Sequence, residues 1–299
     1  MAFNSVIIMK KYILLITFSF FITTTLTAGG PWTQPKGKGY FKLSEWWVVF
    51  ERHYTDVGLI DPNITIGIFN TPLYIEYGFM NRMTGILNAN ILSRNYMNNL
   101  VSATTGDVLV EGEAINSLGD IDIGVKYGLT KAGTRIPVSA SIILGLPTGK
   151  KVAGKLNNLQ TGDGEFNQMI QIDAGIGFKL SENISAYSSA FIGFNNRTQG
   201  FSEELRIGIE YGIGLFDQRL WLIGRFNAVE SLKNGDTAET TTSTSIFANN
   251  SEYTSLALEA AYYVTKRVGF SGAIAGALRG EIIAAAPSYS VGVFYDMSK

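Results

Sequence analysis

Two alternating runs of residues, joined by a short turn, constrain the fold of this chain most strongly. Residues 121–129 alternate Ile, Val, Tyr and Leu with Asp, Gly and Lys, and residues 136–146 resume the alternation after the turn. Successive side chains of a β-strand point to opposite faces, so each run has one apolar face and one polar or small face. Each run is about ten residues long, which suits a tilted strand that crosses a bilayer. The pair predicts a transmembrane β-hairpin.

The same pattern recurs along the chain and predicts an all-β fold. The predicted strands lie at residues 40–52, 64–79, 84–95, 121–129, 136–146, 168–180, 184–195, 202–215, 219–229, 253–264, 268–278 and 288–295. Their connections alternate between short and longer. Outer-membrane barrels have short periplasmic turns, longer outer loops and an even number of strands. We therefore expect a transmembrane antiparallel up-and-down β-barrel of about twelve strands, with both termini on the side of the short turns.

Composition excludes several classes of function. The 299-residue chain has a net charge of −1 and no basic stripe, so no nucleic-acid partner is predicted. It has no cysteine and therefore no disulfide or thiolate metal site. Charged residues make up 16% of the chain, against about 25% in soluble domains. Together with 33 glycines, this composition suits a sheet that faces lipid on one side.

The N-terminal residues have the features of a signal peptide. Lys10 and Lys11 precede an apolar run at residues 12–22, and Ala28 is a plausible cleavage point. A permanent membrane anchor is the alternative, but the run is shorter than the roughly 20 residues that a spanning helix needs. Met9 is an alternative start. We predict a signal peptide at residues 1–28, an irregular lead-in at 29–39 and the barrel at 40–299.

A soluble exported sandwich or barrel would also alternate apolar and polar residues. Its charged face would point outward into solvent. Here the polar faces are rich in Gly, Ser and Ala with scattered charges, which is poor material for a solvated exterior. Aromatic residues near the predicted strand ends suit the two membrane interfaces. The membrane barrel is the better interpretation.

No residue pattern predicts an enzyme, a metal site or a cofactor. His53 is the single histidine, so a hydrolase with Ser, His and a carboxylate is unsupported. Residues 145–151 resemble a phosphate-binding loop but lack its spacing and follow a strand. The acidic residues 161–165 lack the spacing of an EF-hand.

Charged side chains on the predicted inner faces are the candidate pore-lining residues. They are Glu76, Asp120, Asp122, Lys126, Asp173, Lys179, Glu204, Arg206, Glu210, Arg225 and Glu259. Two interpretations stay open: a salt-bridged plug that stabilises a narrow barrel, and the polar wall of a pathway. Twelve strands lie between filled eight-stranded barrels and open barrels of sixteen or more, so size does not decide.

Bulky and small residues on the inner faces bear on the same choice. Tyr187, Phe191 and Trp221 would narrow the bore and give it apolar contacts. The glycines at 208, 212 and 214 lie on the same predicted face as Glu204, Arg206 and Glu210. We expect them to leave space beside the charges, which favours a wet pathway.

Several short motifs resemble one known family. Glu76-Tyr77-Gly78 precedes a short turn, Gly119-Asp120 opens a strand that ends at Lys126-Tyr127, and residues 146–149 and 161–164 read Leu-Pro-Thr-Gly and Thr-Gly-Asp-Gly. These motifs are similar to those of the outer-membrane proteins labelled "meta-pathway of phenol degradation". The resemblance implies a barrel that moves hydrophobic or aromatic compounds. Unlike barrels that end on an aromatic residue, this chain continues past Tyr295 to Lys299.

These observations predict a non-enzymatic, porin-like channel of a Gram-negative outer membrane. Its expected partners are outer-membrane lipid, the barrel-insertion machinery and a small, hydrophobic or aromatic solute. The alternative is a plugged structural barrel without transport, which acts through the predicted outer loops at residues 96–117, 148–167 and 230–251.

Overall fold

The computed structural model describes residues 29–155, 157–236 and 247–299. The predicted signal peptide and part of the loop at 230–251 lie outside the described residues. The strands are β1 (Gly39–Tyr54), β2 (Ile60–Met80), β3 (Met83–Met97), β4 (Leu100–Val101), β5 (Val108–Val110), β6 (Glu113–Ser117), β7 (Ile121–Gly128), β8 (Val138–Leu146), β9 (Asn167–Ser181), β10 (Ile184–Asn196), β11 (Glu204–Leu215), β12 (Leu220–Ser231), β13 (Glu252–Tyr263), β14 (Val268–Glu281) and β15 (Ser288–Asp296). Within these ranges, no helix has the length and apolarity needed to span a membrane.

The strands close into one antiparallel barrel. Each wall strand pairs with its neighbour in sequence, and β1 pairs with both β2 and β15. β6 and β7 both pair with β3, so they form a single wall strand that is broken at residues 118–120. β4 and β5 form a separate small hairpin outside the wall. The wall therefore has twelve strands, as the alternation predicts.

The two faces of the wall follow the alternation. On β11, Ile209 is half-exposed on the outside, whereas the neighbouring Gly208 is buried on the inside. Equivalent apolar side chains are exposed around the barrel, including Leu43, Ile123, Val125, Ile142, Ile170, Ile192, Leu222, Leu258, Ile274 and Val291. This apolar outer belt is the surface that a barrel presents to lipid.

The outer ends of the strands extend further than the sequence predicts. The expected loop at residues 96–117 contains three strands, and one of them, β6, lengthens the wall. Ile115 of β6 is buried against Met97 and Leu159, which supplies the apolar contact that fixes this short strand. β2 also starts earlier than predicted, at Ile60, and continues through Pro72 with a register shift at Thr71. Proline removes a ladder donor, which explains an irregularity at that point.

The expectation that inner-face glycines leave open space is wrong. Their cross-strand partners are aromatic residues whose rings lie over them; the pairs are Phe191 with Gly208, Tyr187 with Gly212 and Trp221 with Gly214. A Cβ at Gly208 or Gly212 would lie 2.1 Å from the ring of its partner. Glycine is required here because the aromatic ring occupies the place of a side chain.

Candidate functional site

The N-terminal segment, residues 29–38, runs inside the barrel before β1 begins. Gly29 and Gly30 both have positive φ, at 87° and 64°, a backbone conformation that glycine adopts readily. Trp32 packs edge-on against the ring of Tyr187, with ring centroids 5.6 Å apart. At the short-turn end, Gly37 N donates to Gly78 O at 2.7 Å. The segment therefore narrows the lumen near the end with the short turns.

A buried group of charges lies beneath this segment. We call Glu76, Lys126 and Asp173 the floor cluster. The Lys126 ammonium lies 2.9 Å from Glu76 Oε1, and both side chains are almost fully buried. Glu76 also accepts hydrogen bonds from the Tyr74 hydroxyl at 2.7 Å and from Gln34 Nε2 of the N-terminal segment at 3.1 Å. Three elements of the fold, β2, β7 and the N-terminal segment, thus converge on one carboxylate.

Asp173 completes the floor cluster from β9. Its Oδ1 accepts a hydrogen bond from Gln171 Nε2 at 2.8 Å, and Lys126 is close enough to attract the carboxylate. Its buried Oδ2 has no hydrogen-bond partner within the described part of the chain. The floor cluster therefore holds two carboxylates against one lysine.

A cavity of about 350 Å³ lies beside the N-terminal segment. Aromatic residues line much of it: Tyr40, Tyr74, Tyr187, Trp221, Tyr263 and Phe294. Several of these rings pack on one another; the centroids of Tyr263 and Phe294 are 4.8 Å apart and those of Tyr40 and Phe294 are 5.7 Å apart. The walls of the cavity are therefore largely aromatic, and several of their rings pack on one another.

The charged wall of this cavity forms the cavity network: Lys42, Glu210, Arg225 and Glu259. Glu259 binds Lys42 Nζ at 2.7 Å and Arg225 Nη1 at 2.6 Å. Arg225 also pairs with Glu210, which accepts the hydroxyl hydrogen of Tyr187 at 2.5 Å. The two cations balance the two carboxylates, so the cavity wall is polar but carries no net charge.

A third group, the rim cluster, lies at the outer end of the lumen and consists of Asp163, Arg197, Glu204 and Arg206. Arg197 binds Glu204 at 2.8 Å and Asp163 at 3.2 Å, and its guanidinium lies over the ring of Phe201. Arg206 reaches Glu204 at 2.6 Å. Asp163 belongs to the loop between β8 and β9, so the rim cluster ties that loop to β11.

Asp120 ties the same loop to the break in the fourth wall strand. Its carboxylate accepts the backbone N–H groups of Gly149 at 2.8 Å and Asp163 at 3.0 Å. Burial raises the pKa of Asp120 to about 6, and the charges of Asp163 and Asp122 raise it as well, whereas the two N–H groups oppose the shift. Asp122, the next inward residue, accepts a hydrogen bond from Asn88 at 3.2 Å.

No protein-family model and no curated protein matches this sequence. Solved structures do match. An outer membrane channel from Pseudomonas putida F1 is 13% identical to this chain. The match covers 91% of this chain and 100% of the channel, with a TM-score of 0.53. The NanC porin is 10% identical, covers 85% of this chain and 98% of that chain, and has a TM-score of 0.46.

The fold is that of an outer-membrane barrel. The likeness to the Pseudomonas channel shows the fold, and the apolar outer belt is consistent with it. The predicted antiparallel barrel fold is therefore confirmed.

The structure brings most of the candidate pore-lining residues into three groups. Glu76, Lys126 and Asp173 meet in the floor cluster, Glu210, Arg225 and Glu259 in the cavity network, and Glu204 and Arg206 in the rim cluster. Asp120 and Asp122 lie below the outer loops. Lys179 does not join them; it is exposed near the end of β9. His53 lies at the outer end of β1, beside Ala284.

Four contributors to the lumen were missed in the sequence. Lys42 and Tyr40 lie on a strand whose two faces both carry aromatic residues, so the alternation does not show which of its side chains point into the lumen. Asp296 stood out only as part of an unusual C-terminus, yet it is fully buried and accepts the Tyr263 hydroxyl at 2.9 Å. The N-terminal segment carried a Gly- and Pro-rich composition that does not reveal its place inside the barrel.

Proposed function

We propose that the protein is an outer-membrane channel for small molecules and that the cavity is a solute-binding point on its pathway. The observation that carries this proposal is the cavity of about 350 Å³, whose wall combines aromatic rings with the cavity network. Arg225 is about one-third exposed and Glu210 about one-fifth exposed, so these charges face the open space rather than packed protein.

The chemistry of the lining favours a small aromatic solute without net charge. Rings such as Trp221 and Phe294 offer stacking and edge contacts, while the paired charges and Tyr hydroxyls offer hydrogen bonds. Because the cavity network is neutral, it gives no general preference for an anion or a cation. This solute class agrees with the one that the resemblance to the phenol-degradation barrels implies.

The test combines planar-bilayer conductance with uptake into liposomes, using phenol and catechol as probes and glycerol as a comparison solute. Ala261 lines the cavity, and Ala260 points outward to lipid on the same strand. Ala261→Trp should reduce conductance and uptake of the aromatic probes several-fold. Ala260→Trp, the matched control, should leave both unchanged.

Folded protein that conducts no ions and takes up neither phenol nor catechol would contradict the channel proposal. Equal uptake by wild type and Ala261→Trp would show that the pathway does not pass through the cavity. Each protein must first show heat-modifiable migration on a gel, because only a folded barrel tests either point.

A plugged structural barrel is the second candidate, and the floor cluster favours it. Glu76 and Lys126 are sealed beneath the N-terminal segment and make contacts that stabilise the barrel. A barrel of this kind would act through its outer loops. If the folded wild-type protein shows neither conductance nor uptake, that result supports this candidate.

A further inference from the structure

The first described residue, Gly29, lies inside the barrel against a buried carboxylate. Its backbone nitrogen is 3.3 Å from Glu76 Oε1 and 3.4 Å from Oε2. Both distances are long for a single amide hydrogen bond, and the two oxygens share one nitrogen. A group with several donors and a positive charge would suit this position better than an amide.

The charges of the floor cluster indicate that one cation is missing. Glu76 and Asp173 are both buried; Lys126 forms a salt bridge with Glu76 and attracts the Asp173 carboxylate. A buried carboxylate without a compensating cation is costly. The buried Oδ2 of Asp173 also lacks a donor, because it has no hydrogen-bond partner within the described ranges.

We infer that the mature chain begins at Gly29 and that its α-ammonium group is the second cation of the floor cluster. Cleavage after Ala28, the predicted signal-peptide site, would place this ammonium between the carboxylate oxygens of Glu76. The hydrolysis breaks the Ala28–Gly29 peptide bond with water and leaves a carboxyl on Ala28 and the ammonium on Gly29. Removal of the signal peptide thus supplies the charge that holds the N-terminal segment in the lumen.

Gly29 borders open space, because a Cβ added to it would meet no atom within 4 Å. Gly29 lines the cavity. A Cβ on the next residue, Gly30, would lie 3.1 Å from the Trp32 ring and 3.3 Å from Ser189 Oγ, so the segment is closely packed against β10.

The first experiment is intact-mass spectrometry of the protein purified from outer membranes. The expected mass is that of residues 29–299. A mature chain that begins at any other residue would overturn the inference.

The second experiment removes the α-ammonium charge. The purified protein is unfolded in urea, transaminated with pyridoxal phosphate to convert the N-terminal amine to a carbonyl, and refolded in detergent. The urea midpoint of the folded gel band should fall after transamination of the wild type. In Asp173→Asn, which has one fewer buried carboxylate, the same treatment should lower the midpoint much less.

A second variant covers the case in which Asp173→Asn does not fold. Two residues, Gly-Ser, are added before Gly29 so that the ammonium moves by about 7 Å. This extension should lower the midpoint about as much as transamination does. An unchanged midpoint in both the transaminated and the extended protein, or equal losses with and without Asp173, would show that Gly29 contributes no charge to the floor cluster.

Discussion

The floor cluster and the cavity network both combine carboxylates with basic side chains on inward faces of the same barrel, yet their surroundings differ. The side chains of Glu76 and Lys126 are 0% and 4% exposed, whereas those of Lys42 and Arg225 are 19% and 31% exposed. The N-terminal segment covers the first group, and the cavity opens beside the second. Cover by this segment, more than the residues themselves, separates the two environments.

This difference bears on the two interpretations that the sequence left open. A salt-bridged plug requires sealed and fully paired charges, and the floor cluster has the sealing and most of the pairing. A pathway wall requires charges that touch water, and the cavity network has that exposure. Each interpretation therefore fits one region of the lumen, and substitutions in the two regions should behave differently.

The largest difference is expected between the two lysines. Lys126→Ala leaves Glu76 and Asp173 buried without their lysine partner, which should lower the free energy of unfolding by about 3–5 kcal/mol. Lys42→Ala should cost about 1 kcal/mol or less, because Glu259 keeps Arg225 and the site borders the cavity. Both losses are measured as shifts in the urea midpoint of unfolding, with each protein in lipid vesicles and the folded fraction read from unheated gel samples. If the two variants lose similar free energies of unfolding, the two regions do not differ in how far they exclude water.

The rim cluster allows the same comparison within one group. Arg197 is sealed and bonds both Glu204 and Asp163, so Arg197→Ala should cost about 1.5–3 kcal/mol. Arg206 is 39% exposed, and Glu204 keeps Arg197 when Arg206 is removed. Arg206→Ala should therefore leave the unfolding midpoint nearly intact and shift ion selectivity toward cations. A large fall in the midpoint for Arg206→Ala without a change in selectivity would indicate a plug at the rim.

A smaller effect is expected at the ring of Tyr187, which lies between the N-terminal segment and the cavity network. Tyr187 packs on Trp32 of the N-terminal segment and bonds Glu210 of the cavity network. Gly212→Ala would push this ring away and should cost about 1–3 kcal/mol by overpacking. The control is Gly224→Ala on the outer face, where the nearest atom to an added Cβ is 3.9 Å away. If both variants unfold at the wild-type midpoint, the ring is free to move and does not couple the two regions.

The glycines also show what the sequence could and could not predict. Alternation on β11 assigns Ile209 to the lipid side and Gly208 to the lumen because a strand has a strict period of two. It does not show that Phe191 lies over Gly208, since that contact depends on the register between β10 and β11. Facing is a property of one strand, whereas the filling of the lumen depends on pairs of strands.

The grouping of the charges was out of reach for the same reason. Glu76 and Lys126 are 50 residues apart, on strands separated by β3, and they meet only across the curved inner face. The N-terminal segment posed a further difficulty, because an irregular chain has no period from which to infer its position. Its contacts with Glu76 and Tyr187 come from tertiary packing alone.

The smallest expected effect concerns pH at the outer rim, outside the strands. Asp120 has its pKa raised from 3.8 to about 6, chiefly by burial, so its charged form is disfavoured in the folded protein. Between these two pH values the folded state binds the proton more readily than the unfolded state, and stability contributed by this group rises as the pH falls. Asp120→Asn lacks that proton. The wild type should therefore gain about 1 kcal/mol or less relative to the variant between pH 7 and pH 4, after allowance for partial solvent screening. Urea midpoints of both proteins across this range measure the gain, and a wild type that instead loses stability relative to Asp120→Asn would show that the Gly149 and Asp163 N–H groups outweigh burial.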